Sequence, residues 1–327
     1  MKAKTKYDII SIGDATLDTF VRIDNASLLC SLNKDQCWFC LNYAEKIPIE
    51  ELKFTLGGNA CNNAVGSARL GLKAAFYSII GDDDSGRRIL EQIKAENVSS
   101  EYVIVQKRKP TNYSVVLTYK TERTILVYHC PRKYNLPKLA SSKWIYLTSM
   151  GKGFDSIHKD LLIRLKFNGT KLAFNPGTHQ LLAGKKVLEP ILKVCSVLIL
   201  NKEEGLMVLG QPSTTSIKDI LKSLHLLGPD IVIVTDGLNG AYGFDGHRCY
   251  FMKIMPSKVV QRTGAGDSFS TGVIAALFHD KPLNEALQWG TANAASVIEH
   301  VGPQTGLLTI PKLKRRIKGA ACSCKEI

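Results

Sequence analysis

The residues best suited to chemistry in this 327-residue chain are Thr263-Gly264-Ala265-Gly266-Asp267. Small residues at the start of a helical stretch let backbone N–H groups approach an anion with no side chain in the way. The helix dipole adds partial positive charge at the same point. A carboxylate there is misplaced if the only task is to hold phosphate. It makes sense as the group that takes a proton from a hydroxyl attacking a phosphoryl group beside it. Read alone, the turn has a purely structural start to the helix as its competing reading.

The elements around it must position that turn. Tyr7–Gly13 reads as a buried strand ending at a glycine, and Lys73–Ile80 as another strand. Gly57-Gly58-Asn59 opens a small-residue helix ending near Leu70-Gly71, with Gly71 as its C-terminal cap, and Ser85–Asn97 reads as a second helix. From Lys143 onward, strand-like runs at Trp144–Thr148, Lys171–Phe174, Ser196–Leu200 and Ile231–Thr235 alternate with helical stretches. That alternation predicts a parallel sheet with crossover helices. Ala241–Phe244 and Arg248–Ile254 read as an antiparallel pair around Asp245-Gly246. Val259–Arg262 reads as an extended run into the turn, followed by helices at Gly266–His279 and Leu283–His300. The basic tail, residues 312–327, reads as a short helix that frays. Residues 14–56 and 102–129 are β-rich in texture, the second with a hairpin at Lys120-Thr121-Glu122, and suit a small separate sheet.

In open α/β sheets, ligands sit beyond the carboxyl ends of the strands. Asp14 and Asp18 follow the first strand. Asp18 is read either as a carboxylate for polyol hydroxyls or as a turn residue, and Asp14 as a turn or cap. Asn59 and Asn62, three apart, share one helical face, where their amides could read sugar hydroxyls. Asn201-Lys202-Glu203-Glu204 offers a carboxylate and an amide suited to a hydrated Mg²⁺, or simply an acidic helix start. Thr235-Asp236-Gly237-Leu238-Asn239-Gly240 is a turn whose hydroxyl and amides could face a nucleotide phosphate, with a plain β-turn as the competing reading.

Bulk properties narrow the classes. An apolar fraction of 45% and a charged fraction of 22% fit an ordinary globular protein. No apolar run reaches membrane-spanning length and no signal peptide is evident, so the expected setting is cytoplasmic. The net charge of +14 favours anionic ligands, but it is scattered, and no nucleic-acid motif accompanies it. Nine cysteines are read as reduced thiols rather than a disulfide framework, and Cys30, Cys37 and Cys40 lack a fourth ligand for zinc.

Five motifs in order, over roughly residues 6–310, resemble the ribokinase-like (PfkB) carbohydrate kinase family. They are Gly57-Gly58-Asn59-Ala60-Cys61-Asn62, Gly81-Asp82-Asp83-Asp84-Ser85-Gly86, Asn201–Glu204, Thr235–Gly240 and Thr263–Asp267. The resemblance implies one kinase domain over residues 1–327: a three-layer α/β/α body with a mainly parallel central sheet and a β-sheet lid from about 14–56 and 102–129. It implies ATP-dependent phosphorylation of a pentose or hexose, with a nucleoside or sugar phosphate as the alternative acceptor. A ligand-binding protein that kept only the fold is the non-catalytic reading.

By the same resemblance, Asp267 matches the base, and Gly264, Ala265 and Gly266 the anion hole. Asn201 and Glu204 match the Mg²⁺ and phosphate motif, Glu204 acting through water. Thr235, Gly237 and Gly240 match the ATP-side turn, and Asn293 a residue near the nucleotide base. Asp18, Gly58, Asn59 and Asn62 match acceptor positions. The chain departs from the family at Gln261-Arg262, where an aspartate commonly helps bind a monovalent cation, so a K⁺ requirement is not expected. Residues Ala26–Pro48 fit no acceptor pattern and suit lid reshaping or a homodimer contact.

Overall fold

The computed structural model describes residues 5–31, 37–120, 122–320 and 322–327. The start of the N-terminal strand is included, while Thr121 of the expected 120–122 turn lies outside the described residues.

In chain order the strands are β1 (Tyr7–Ile12), β2 (Thr16–Arg22), β3 (Ser27–Cys30), β4 (Cys37–Cys40), β5 (Glu51–Gly57), β6 (Ala74–Gly81), β7 (Ser99–Gln106) and β8 (Asn112–Tyr119). They continue as β9 (Glu122–Tyr128), β10 (Ser142–Leu147), β11 (Lys171–Phe174), β12 (Val197–Asn201), β13 (Ile231–Thr235), β14 (Ala241–Phe244), β15 (Cys249–Met252) and β16 (Lys325–Glu326). The helices are α1 (Asn59–Arg69), α2 (Asp84–Ala95), α3 (Asp155–Asn168), α4 (Thr178–Leu182) and α5 (Lys185–Leu192). Then come α6 (Lys202–Leu209), α7 (Ile217–His225), α8 (Ala265–Phe278), α9 (Leu283–Val297) and α10 (Ile310–Gly319).

Ten strands form the central sheet in the order β16-β15-β14-β13-β12-β11-β10-β1-β6-β7. The pairs from β7 to β13 are parallel, and β14, β15 and β16 extend the sheet antiparallel. Runs such as Ile231-Val-Ile-Val-Thr235 are apolar throughout because both faces of a parallel sheet are covered by helices. Ile9 enters the core beneath α1, α8 and α9, while Ile10 and Ile12 enter the core beneath α5 and α7. Three layers result, as the alternation of strands and helices predicts.

A smaller sheet, ordered β5-β2-β8-β9, stands apart from this body. Its central pair β2–β8 is parallel and the flanking pairs are antiparallel. The β-rich run at 102–106 does not join it, contrary to expectation. That run lies in β7, paired with β6 at the edge of the central sheet, with Tyr102 buried against Tyr7. The crossover from β6 through α2 requires a parallel neighbour, which β7 supplies.

Two further differences concern the ends and the cysteines. After α10, Lys325–Glu326 adds a strand to β15, so the tail is stitched to the sheet instead of ending in a frayed helix. Cys30 and Cys37 form a disulfide across the β3–β4 hairpin, against the reading of reduced thiols; the antiparallel register sets them directly opposite. The expected extended run before residue 263 is irregular, held by Val260 and Gln261 amides on the Ile298 carbonyl.

Candidate active site

Strand order reverses between β1 and β10: the chain runs from β1 outward to β6 and β7, then resumes on the other side of β1. A crevice opens at such a switch point, outside the carboxyl ends of the strands. Asp14 sits in it, at the end of β1. Its amide donates to the Ser149 carbonyl beyond β10, and its carboxylate accepts from Tyr134 Oη at 2.8 Å and the Gly151 amide at 2.9 Å. Burial pushes its proton affinity up, partly offset by those donors. Asp14 is therefore a buried, doubly held carboxylate and no plain turn residue. Tyr134, which lies in a loop with no periodic signal, escaped the sequence reading altogether. So did Asn175, which ties the strand ends together by donating to the Ile199 carbonyl at 2.8 Å.

Asp18 lies further along the small sheet, on β2. Register pairs it with Thr55 and Ser114. Its carboxylate lies over Gly57, where a Cβ would fall 2.0 Å from Oδ2. Gly58 follows with φ +92°, and its Cβ would meet the Asp14 carbonyl at 2.4 Å. Only glycine can make that turn and pack the two strand roots together. Desolvation, reinforced by the charge of Asp267, raises the Asp18 carboxyl to about 6.

Asp267 is the third residue of α8. Gly264 caps the helix at φ +80°, and a Cβ there would strike Pro303 at 2.4 Å. Gly266 is exposed, and a Cβ on it would meet no atom within 4 Å. First-turn amides have no carbonyl one turn back to bond. The amides at Gly266 and Asp267 thus face outward beside the carboxylate, with the helix dipole behind them. Asp267 Oδ2 accepts from Asn62 Nδ2 at 2.7 Å, while Oδ1 accepts no hydrogen bond among the described residues. Burial raises this carboxyl to about 6 as well, with the Asn62 bond acting against the rise. Its charge reaches Asp18, Glu204 and Tyr146. Residues from β2, α1, α6 and α8 therefore converge on one place.

Asn59 and Asn62 do not share a task. Asn59 is half-exposed at the start of α1, and its amide makes no hydrogen bond among the described residues. Asn62 is buried, and both ends of its amide are used, on Asp267 and on Gln304 Nε2 at 2.9 Å. Expected on the acceptor side, Asn62 here gives its amide to the Asp267 carboxylate and to Gln304.

Asn201 and Thr235 end β12 and β13 side by side in register. Asn201 caps α6 reciprocally: Oδ1 accepts from the Glu204 amide at 2.8 Å and Glu204 Oε2 accepts from the Asn201 amide at 2.9 Å. Such a box satisfies two orphan donors and contributes about 0.5–2 kcal/mol. Glu204 Oε1 accepts no hydrogen bond among the described residues, and burial raises the carboxyl's proton affinity. A half-buried carboxylate with one uncommitted oxygen fits a hydrated divalent cation, since Mg²⁺ takes few protein ligands and keeps its waters. Among the described residues no cluster of three or more metal-ligating side chains occurs. The turn after Thr235 is a short 3-10 segment, Gly237–Asn239, between glycines at φ +51° and +97°.

Asn293 is placed differently from expectation. It is fully buried in α9, donating to the Ser268 carbonyl at 2.7 Å and accepting from the Leu308 amide at 3.0 Å. With both ends used, its amide ties α9 to α8 and to the segment at Leu308. A cavity of about 660 Å³ is lined by Leu17, Phe54, Arg69, Arg88 and Gln304 but not by Asp18, Asn201 or Asp267. Among the described residues no helix is long and apolar enough to cross a membrane.

An α/β/α body, a small sheet over its switch point and a helix-start carboxylate beside free amides define a ribokinase-like kinase. Comparison with known proteins agrees. The sequence matches the family described as pfkB family carbohydrate kinase over residues 21–310, and the chain belongs to that family. It is 29% identical over 259 residues to an uncharacterized sugar kinase of Archaeoglobus fulgidus, covering 74% of this chain and 98% of that one. The fold is shared with the nucleoside kinase of Methanocaldococcus jannaschii (TM-score 0.79, 21% identity, 97% and 99% of the two chains). It is shared equally with Arabidopsis thaliana ribokinase complexed with ribose and ATP (TM-score 0.79, 22% identity, 95% and 99%). The protein is a carbohydrate-kinase-type phosphotransferase.

Proposed function

We propose that this enzyme transfers the terminal phosphoryl group of ATP to a hydroxyl of a pentose or hexose, with Asp267 as the base. The observation that carries this reading is the uncommitted Oδ1 of Asp267, set at the mouth of α8 beside first-turn amides. The acceptor hydroxyl loses its proton to Asp267 as its oxygen attacks phosphorus, and Gly264–Gly266 hold the developing negative charge. Asp18, Gly58 and Asn59 hold the acceptor, with Asp14 at its far side. Glu204 would hold Mg²⁺ through water, and the ion would neutralise phosphate charge. Thr235, Gly237 and Gly240 would take the nucleotide phosphates.

The sugar reading is supported by carboxylates and an amide lining the acceptor side, groups suited to several hydroxyls at once. The ribose and ATP bound by the Arabidopsis neighbour favour it too. A nucleoside acceptor is the second reading, favoured by the equal likeness to a nucleoside kinase. A coupled ADP-release screen over pentoses, hexoses, sugar phosphates and nucleosides tests both. Turnover with a pentose or hexose supports the first, turnover with nucleosides alone replaces it, and no turnover with any acceptor rejects catalysis.

A K⁺ requirement is not part of this reading. Gln261 Oε1 accepts from the Gly302 amide at 2.9 Å, so a neutral side chain already holds the loop behind the anion hole. Homodimerisation through the lid is the proposed assembly. Alternation along the strands sets Leu52, Phe54, Leu126 and Tyr128, all exposed, on the face opposite Asp18.

A further inference from the structure

Asp267 does not stand alone: the amides of Asn62 and Gln304 form a chain behind it. An ionised carboxylate can only accept hydrogen bonds, so the Asn62 amide must turn its Nδ2 toward Asp267. Asn62 Oδ1 then faces the other way and needs a donor. Gln304 supplies one, Nε2 to Oδ1 at 2.9 Å. The consequence is an unsatisfied atom: Gln304, 6% exposed, has its Oε1 buried with no partner among the described residues. An orphaned buried acceptor costs about 1–3 kcal/mol. Reversing both amides would move the unpartnered end but would set the Asn62 carbonyl against the carboxylate.

The outer end of this chain is fixed. Arg69 Nη1 donates to the Gln304 carbonyl at 2.7 Å and to the Leu307 carbonyl at 3.3 Å. Glu96 holds the same guanidinium through Nε at 2.8 Å and Nη2 at 2.5 Å.

We propose that Gln304 is a positioning residue for phosphoryl transfer, acting through Asn62 to present Asp267 with a donor at Oδ2 and so reserve Oδ1 for the substrate proton. The inference rests on the reading of Asp267 as the base. In the step itself the acceptor O–H bond breaks and an Oδ1–H bond forms, while Oδ2 keeps its bond from Asn62. The other ionisable groups facing Asp267 are Asp18 from β2, Glu204 from α6 and Tyr146 from β10. None of them touches Gln304 through a hydrogen bond.

The test is an infrared titration of the carboxyl band of Asp267 in the full-length protein without ligand, the band being assigned by its loss in Asp267→Asn. Gln304→Met keeps the bulk and removes the donor, freeing Asn62 to rotate. The midpoint for protonation of Asp267 is expected to rise by about one pH unit, a tenfold gain in proton affinity. Gln304→Leu repeats the measurement should the first variant fold poorly. In an Asn62→Ala background the Gln304 substitution should leave the midpoint where it was. An unchanged midpoint in the folded single variants overturns the proposal, as does an equal shift with and without Asn62. If instead Asp267→Asn keeps full turnover in the ADP-release screen, the reading of the base fails, whatever the titration shows.

Discussion

The two halves of the site are built from opposite materials. On the proposed acceptor side, Asp14, Asp18, Asn62 and Gln304 are buried side chains held by other side chains. On the proposed nucleotide side, Asn201 and Thr235 are half-exposed, and the turn beyond them carries Leu238 at 66% exposure. The first half works with charge in a dry setting, where electrostatic effects are strong and protonation states shift. The second works with backbone amides and a cap, which tolerate water. Chemistry that must exclude water as a competing acceptor belongs in the first half, and a ligand that must come and go belongs in the second.

Substitutions can break or sharpen that contrast. Asp267→Asn is expected to have the largest effect, lowering kcat by about 10²–10⁴-fold with the KM for ATP nearly unchanged. Its stability should move the other way. The folded-state value of about 6 lies above the ordinary 3.8, so the contribution to stability is full below 3.8 and is lost as pH rises through 6. The Asn variant escapes that loss and should melt a few degrees higher at pH 7.5, the gap closing toward pH 4. Equal turnover, or a lower melting temperature at pH 7.5, would count against a base whose proton affinity is raised by desolvation. In the wild type, kcat/KM should fall below about pH 6 as Asp18 and Asp267 take up protons.

Next in size is a crossed pair. Asp18→Asn should raise the KM of the acceptor by about tenfold or more, as expected when a buried charged hydrogen bond is weakened, and leave ATP alone. Glu204→Gln can still accept from the Asn201 amide. It should raise the Mg²⁺ concentration for half-maximal rate by about tenfold, as loss of one charge near a hard cation implies, and leave the acceptor alone. Effects that spill across would erase the division. The smallest expected effect is that of exchanging K⁺ for Na⁺, which should change the rate less than about twofold, since the resemblance leads one to expect an aspartate where this chain has the neutral Gln261. Strong K⁺ activation would show that other groups make a cation site.

The division also explains what could be read in the chain beforehand. Strands such as β12 and β13, and the helix starts at Gly58, Asn201 and Gly264, carry their signal locally, in apolar runs, caps and small residues. The motif residues they place were legible for the same reason. Partnerships across the fold were not. Nothing near Asn62 reveals that Gln304 lies behind it, 242 residues away. Asn293 has the look of a polar site residue until its two partners are seen. Tyr134 and Asn175 sit in irregular connections. The strand at 102–106 has lid-like composition, and only its tie to β6 assigns it to the body.

Asp18 and Asp267 belong to different pieces of the molecule, one to the small sheet and the other to a helix of the body. Any hinge motion between those pieces changes the gap between two negative charges. Proton uptake by either acid would relieve the repulsion between the two pieces of the molecule that meet here.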